Sequence, residues 1–486
     1  MERDDTPILG QIVVKVYGRR WYILALYSFI CCWQCALWNT WSPIAQTMKA
    51  AFGWSNGVIA LLANWGCITY LILILPVGWL MKWSMRVSVL MCVGLMLLGS
   101  AMRCLPIVLD ISDYMFLILA HVSAFLIGIA EIVTMSAAPA ISAIWFPVQE
   151  RTTATGIAQV ANILGNSVSF FVDVELVQDL GNVTSNVTNE EKQEMRQDVM
   201  TLMWVMAIPS AVLALLVLVY FPSSPQYPPS RSSGEERLGF SEGVMKLLKN
   251  WNAWLIALII SIPAGTIGAW LSLLVEILPS FCFDDEDCLT QEWVSWLAIV
   301  TNLASCGCAL IITYFTDVFR GRIRGTVLIL FAVGTVVFTF LTLVTMEIFV
   351  FSSMSTTKTA IYILLVVGTT LSTGVIPLCT ELAVEICYPT AEVVVGGWLS
   401  VWINFISMIY YCILDIPDIG VDWLNFTLPL SMVVSLILMF FVNPEYKRSR
   451  VDEVGDAILG TLIQNQVEDD DSLLFNDVKL RLQSDE

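Results

Sequence analysis

The chain is predicted to be an all-α membrane protein of twelve transmembrane helices in two six-helix halves, with both ends in the cytosol. Three observations predict it. Twelve long apolar runs divide six and six around one polar bridge. Hydrophobic residues make up 57% of the 486 and charged residues only 14%, with a mean hydropathy of +0.75. A soluble domain cannot bury that much apolar surface. Lysines and arginines, finally, concentrate on one side of the runs.

A run of about 20 apolar residues crosses a bilayer as a helix because, without water, each backbone amide must be paired within the segment. The first six spans are expected at 22–45, 57–81, 86–108, 115–145, 153–172 and 200–221. The first also serves as the targeting signal, since the start stays partly charged as far as Arg20 and offers no cleavable signal peptide. The bridge, rich in proline and serine from Pro222 to Lys249, separates these from spans at 251–278, 293–315, 325–352, 360–387, 393–414 and 425–443. The chain thus divides into a tail (1–20), a bundle (21–221), a linker (222–249), a second bundle (250–443) and a tail (444–486). Six plus six is the plan of a carrier whose halves rock around a central site.

Charge orients the spans. With both ends cytosolic, 19 of the 24 Lys and Arg fall on the cytosolic side and 5 on the other, as the positive-inside rule requires. Three glycosylation sequons, at Asn182, Asn186 and Asn425, all fall on the opposite side. The first two lie in an open loop, whereas Asn425 sits against the membrane. The net charge of -18 resides largely in solvated ends and loops, such as Asp284–Asp287 and Glu468–Asp471, and there is no basic surface for nucleic acid. Of thirteen cysteines most lie in apolar runs, as small core residues. Cys282 and Cys288 bracket the acidic loop, and in an oxidising lumen a local disulfide there is one reading, two free thiols the other.

Between spans eight and nine the chain reads Asp317-Val318-Phe319-Arg320-Gly321-Arg322. This resembles the signature loop of the major facilitator superfamily, which implies a charge relay from Asp317 to Arg320 holding one transport state together. The loop after span two, Lys82 to Arg86, lacks the acid and the glycine. A more specific resemblance runs over nearly the whole membrane portion. It is carried by Tyr17-Gly18-Arg19-Arg20-Trp21, Trp38-Asn39-Thr40-Trp41-Ser42-Pro43, Ala137-Ala138-Pro139, Trp145-Phe146, Glu150-Arg151-Thr152-Thr153, Ile262-Pro263, Trp270 and Glu381-Leu382-Ala383-Val384-Glu385-Ile386-Cys387-Tyr388-Pro389. These strings resemble the solute carrier 49 family. The resemblance implies the major facilitator fold and, from a lysosomal member, proton-coupled export of pyridoxine (vitamin B6). Other members carry choline and ethanolamine and were earlier linked to heme. Trp38 falls where the choline carriers place a cation-binding tryptophan. Those carriers have glutamines at nearby positions of spans five and eleven, where this chain has Ile163 and Asn404.

The residues also speak for themselves. Gln34, Trp38 and Trp41 stand at i, i+4 and i+7 beside Asn39, so one face of span one is expected to present an amide and two indoles. Such a face suits a small aromatic or cationic ligand; tryptophans near a span end also form interfacial belts. Asn162 and Asn166 in span five and Asn404 in span eleven are candidate partners, or else structural hydrogen bonds between helices. Ionisable residues within spans are costly and call for a reason. His121, the one histidine, and Glu131 lie in span four; Glu381 and Glu385 share one face of span ten. All four are candidates for proton coupling or gating, with Glu131 the deeper; the pair in span ten lies near the cytosolic end, where the resemblance to the major facilitator superfamily implies acids that brace gates. Both tails carry acidic dileucine strings, ending Ile8-Leu9 and Leu473-Leu474, of the kind clathrin adaptors read as an address to lysosomes, with the plasma membrane as a second location.

With one histidine, no paired metal-ligand motif and no nucleophile–base arrangement, an enzyme is disfavoured and no cofactor or metal is expected. The expected function is export of a small metabolite, pyridoxine first, across the lysosomal membrane with protons. Facilitated passage of an organic cation such as choline or ethanolamine is the alternative. A non-transporting membrane receptor is the alternative of another class.

Overall fold

The computed structural model describes residues 14–109, 111–177, 188–234, 237–272, 274, 278, 291–318, 323–349, 351, 353–414, 423–443 and 446–451. Ile8, Leu9, Asn182, Asn186, Cys282, Cys288, Arg320, Leu473 and Leu474 lie outside them, as does the side chain of Asp317.

The described chain is helical, with no strand among the described residues. In order the helices are α1 (Arg20–Trp38), α2 (Ala45–Phe52), α3 (Asn56–Trp83), α4 (Met85–Val108), α5 (Asp113–Ser136), α6 (Ala138–Trp145), α7 (Arg151–Leu176) and α8 (Asn189–Val219). The linker carries α9 (Arg231–Gly234) and α10 (Phe240–Lys249). Then follow α11 (Trp251–Ser272), α12 (Gln291–Val318), α13 (Ile323–Thr345), α14 (Met354–Cys387), α15 (Glu392–Leu414) and α16 (Trp423–Phe440).

Short polar side chains set the boundaries. Ser55, Ser84, Ser112 and Ser353 each accept a hydrogen bond from a first-turn amide of α3, α4, α5 and α14. Thr188 and Glu191 form a reciprocal capping box that starts α8 eleven residues before the expected apolar run. Gly53, at φ +69°, ends α2 in the left-handed region that glycine enters freely. Two expected spans are broken. The run at 115–145 divides at Ala137 into α5 and α6, because Pro139 in the first turn of α6 has no amide to continue the ladder. The run at 22–45 ends as an α-helix at Trp38 and tightens into a 3-10 turn over Asn39–Trp41.

All twelve expected runs fall on helices, and ten helices among the described residues are long and apolar enough to cross a membrane. The other two are α7 and α12. The first is diluted by Gln159, Asn162 and Asn166, and the apolar stretch of the second covers only Trp296–Ile312. Large apolar residues such as Leu218, Ile329 and Phe440 face outward while amides and hydroxyls are buried, the pattern of a bundle in lipid. Helices pack closely where glycine allows it. At Gly165 a Cβ would strike the backbone carbonyl of Cys32, so α7 lies against α1 with no side chain between them.

The two halves meet where α7 packs on α12 and α3 on α15. At the linker end polar contacts tie the linker to each bundle. Arg151, fully buried, donates from one guanidinium nitrogen to Ser232 at 3.2 Å and from another to Ser230 and, at 2.7 Å, to Ser233. Arg237 pairs with Glu392 at 2.6 Å and lies over the Tyr388 ring. Burial opposes the Arg237 charge, but the facing Glu392 carboxylate outweighs it and raises its pKa. Within the first bundle, Arg20 pairs with Glu150 at 3.0 Å.

Candidate functional site

Between the halves lies a cavity of about 260 Å³, walled by α1, α3, α5, α6 and α7 on one side and α11, α12, α14 and α15 on the other. From α1 come Gln34, Trp38 and Asn39. Gln34 is buried, and its Oε1 accepts from Thr134 Oγ1 at 3.0 Å. The Trp38 indole donates to the Ala63 carbonyl on α3 at 3.0 Å, which fixes the ring at the cavity wall. Asn39 is held through its carbonyl, which accepts from Ser169 Oγ at 3.1 Å.

The polar side of α7 presents Gln159, Asn162 and Asn166, spaced i, i+3 and i+7 so that all three share a face. Asn162 donates to the Cys31 carbonyl at 3.4 Å, and Asn166 Oδ1 accepts from Cys35 Sγ at 3.2 Å. Gln159 donates across the halves to Thr380 Oγ1 of α14 at 3.1 Å, while its Oε1 is buried without a hydrogen-bond partner among the described residues. Asn404 on α15 donates to the Ser400 carbonyl at 3.0 Å, and Ser400 reaches the Met135 carbonyl at 3.4 Å. These cross-half contacts lie toward the linker end of the cavity.

One charge belongs to this wall among the described residues, and it is Glu131 of α5; no Lys, Arg or His lines it. Glu131 Oε2 is buried and has no hydrogen-bond partner among the described residues. It sits beside the Trp38 indole over Gly66, where an added Cβ would strike both. The missing side chain at Gly66 is what lets an acid and an indole share that corner. The arrangement can therefore offer a π face, several amide donors and acceptors, and a single group able to gain or lose a proton.

Gln34, Trp38, Asn39, Asn162, Asn404 and Glu131 thus all line one cavity. Trp41 does not. The 3-10 turn takes it off the face of Gln34 and Trp38, and it is buried between Trp54 and Phe116 under the Arg103 guanidinium, 4.8 Å from its ring. Trp270 is likewise buried away from the cavity, donating to Asn425 Oδ1 at 3.1 Å and so tying α11 to α16. That bond also corrects the reading of Asn425 as a glycosylation site: its amide is buried inside the bundle. His121 accepts from the Trp65 indole at 3.0 Å through Nδ1 and does not line the cavity.

Glu381 and Glu385 are not a free acid pair. Arg448, 1% exposed, makes ion pairs with both, and Ser449 donates to Glu385 from its amide at 3.0 Å and its hydroxyl at 2.8 Å. They brace the C-terminal segment against α14. Sequence reasoning missed Gln159 and Asn302, which also line the cavity. The amide spacing along α7 was the available signal for Gln159; the lone Asn302 in α12 gave none.

A family model described as Major Facilitator Superfamily matches residues 24–411. A solute carrier family 49 member 4 homolog of Xenopus tropicalis is 31% identical over 455 residues, covering 92% of this chain and 97% of the relative. The choline/ethanolamine transporter FLVCR2 of Homo sapiens is 23% identical, covering 91% and 80%. Among solved structures, the fold is similar to the transporter FucP in the outward conformation (TM-score 0.63, 15% identity, 86% of this chain and 98% of that one). It is similar also to the proton:xylose symporter XylE bound to 6-bromo-6-deoxy-D-glucose (TM-score 0.65, 14% identity, 88% and 98%).

Proposed function

Because the chain belongs to the solute carrier 49 family of the major facilitator superfamily, we propose that this transporter exports pyridoxine from the lysosome to the cytosol together with protons. In this reading twelve spans cross the membrane with both ends cytosolic, and the tail dileucines are the lysosomal address. The observation that carries the cargo and coupling is the cavity wall: amides and one indole around a single carboxylate. A pyridine ring stacks on Trp38, its hydroxyls exchange hydrogen bonds with Gln159, Asn162 and Asn404, and Glu131 takes the proton. Glu131 is the coupling candidate because Glu381 and Glu385 are engaged by Arg448. Loading one site with both proton and substrate biases which state the halves prefer, as differential binding must.

The test is flux in proteoliposomes across a panel of small metabolites, with and without a pH gradient. Pyridoxine flux that rises with the gradient and falls when a protonophore collapses it supports the reading. Flux indifferent to the protonophore removes the coupling.

A second reading has its own support: the one charged residue on the wall is an acid beside Trp38, the pairing that attracts an organic cation. Choline or ethanolamine, named for the human relative, would then pass down its own gradient. In the same panel it predicts choline flux insensitive to the protonophore.

A further inference from the structure

The linker end carries a second concavity that transport through the central cavity leaves unused. α10 is anchored on one side by Gly243 and Leu247, both buried. A Cβ at Gly243 would stand 3.2 Å from Thr390 Cγ2, and the Phe240 ring covers Gly78 of α3. The helix therefore rests on both halves. Its other side turns Met245 and Leu248 outward, and Trp251, which opens the membrane span of α11, is 71% exposed. Apolar residues turned outward on an amphipathic helix at the mouth of a span mark the level of the lipid headgroups.

At that level opens a groove of about 600 Å³ lined by Lys246, Lys249, Lys447, Asn250 and Trp251, with Glu242 the one acid on its wall among the described residues. Among the described residues the wall brings together three lysines from two separate segments and one carboxylate. We propose that this groove binds the phosphorylated headgroup of an acidic phospholipid, with the lysines on the phosphate and with Trp251, Met245 and Leu248 in the interface around it. Charge complementarity selects a multiply negative headgroup, and the exposed apolar residues select a lipid over a soluble anion, which would leave them in water. The site is also placed to matter for transport. Lys447 adjoins Arg448, which is buried on Glu381 and Glu385, and α10 follows directly on Leu238, whose amide donates to the Pro389 carbonyl at 3.4 Å. A headgroup bridging α10 and the C-terminal segment would steady the linker end where the halves are joined.

The experiment uses the full chain in nanodiscs of phosphatidylcholine, titrated with a phosphatidylinositol phosphate and read by native mass spectrometry as lipid retained. A lysine beside an acidic headgroup contributes about fivefold in affinity, so Lys246→Gln, Lys249→Gln and Lys447→Gln together should weaken binding on the order of a hundredfold. Glu242→Gln should strengthen it by about fivefold, and this variant keeps the test decisive if the triple variant does not fold. Lys358→Gln, outside the groove, should leave it unchanged. Binding by the triple variant equal to the parent overturns the proposal, as does a Glu242→Gln variant that binds no better. Soluble inositol phosphate binding as tightly as the lipid overturns the assignment to a membrane headgroup.

Discussion

Trp38 cannot leave the cavity wall cheaply, because its indole hydrogen would lose the Ala63 carbonyl inside a water-poor bundle. Its π face is therefore a fixed surface on the cavity wall. Replacing it with phenylalanine keeps a face and should retain a part of the flux, while alanine removes the face and should cost about tenfold or more. Equal flux from parent and alanine variants would reduce Trp38 to a packing residue; substrate uptake into proteoliposomes decides it. Several polar residues in apolar runs were legible because a polar group in lipid demands a reason, although Gln159 and Asn302 were passed over. That rule found Gln34, Asn162, Asn404 and Glu131, all on the cavity wall. Tryptophan was less legible, since an indole is large enough to belong to a core, a belt or a site. Trp41 and Trp270 resemble Trp38 in sequence, yet both are buried packing residues. Glu381 and Glu385 were legible as a pair but not as a brace, because Arg448 lies over sixty residues further along the chain.

Two glycines separate function from stability at the scale of helix packing. At Gly165 an added methyl meets the backbone carbonyl of Cys32, which cannot swing aside, so Gly165→Ala should destabilise the bundle by about 1–3 kcal/mol, seen as a lower unfolding temperature in detergent. At Gly66 it meets the side chains of Trp38 and Glu131. Gly66→Ala should therefore displace those two and cut transport severalfold, with less effect on unfolding. The linker makes a further prediction. Arg151→Ala leaves the hydroxyls of Ser230, Ser232 and Ser233 without their buried cation, at a cost of about 2–4 kcal/mol. Limited proteolysis should then cut the linker faster than in the parent. Helix existence was readable from the apolar runs. The break at Ala137 and the 3-10 turn after Trp38 were not, because hydropathy reports burial in lipid and is blind to where a proline interrupts the backbone ladder.

As a whole the described chain is helical, with helices on either side of a structured linker enclosing the cavity of about 260 Å³. Its composition announced a membrane bundle, and the two helices that fall short of membrane-spanning composition among the described residues, α7 and α12, are one of the pairs that pack across the cavity and help to line it. A helix that lines a polar cavity must give up apolar residues to do so. Hydropathy is thus weaker along these two cavity-lining helices. We propose that a small metabolite and a proton leave through this cavity together, with Glu131 as the proton carrier. The most direct measurement loads acidic vesicles bearing the protein with pyridoxine and follows internal pH with a trapped dye. Pyridoxine efflux should speed the rise of internal pH in the parent and fail to do so with Glu131→Gln. Pyridoxine efflux from the parent with no accompanying proton movement would contradict the claim.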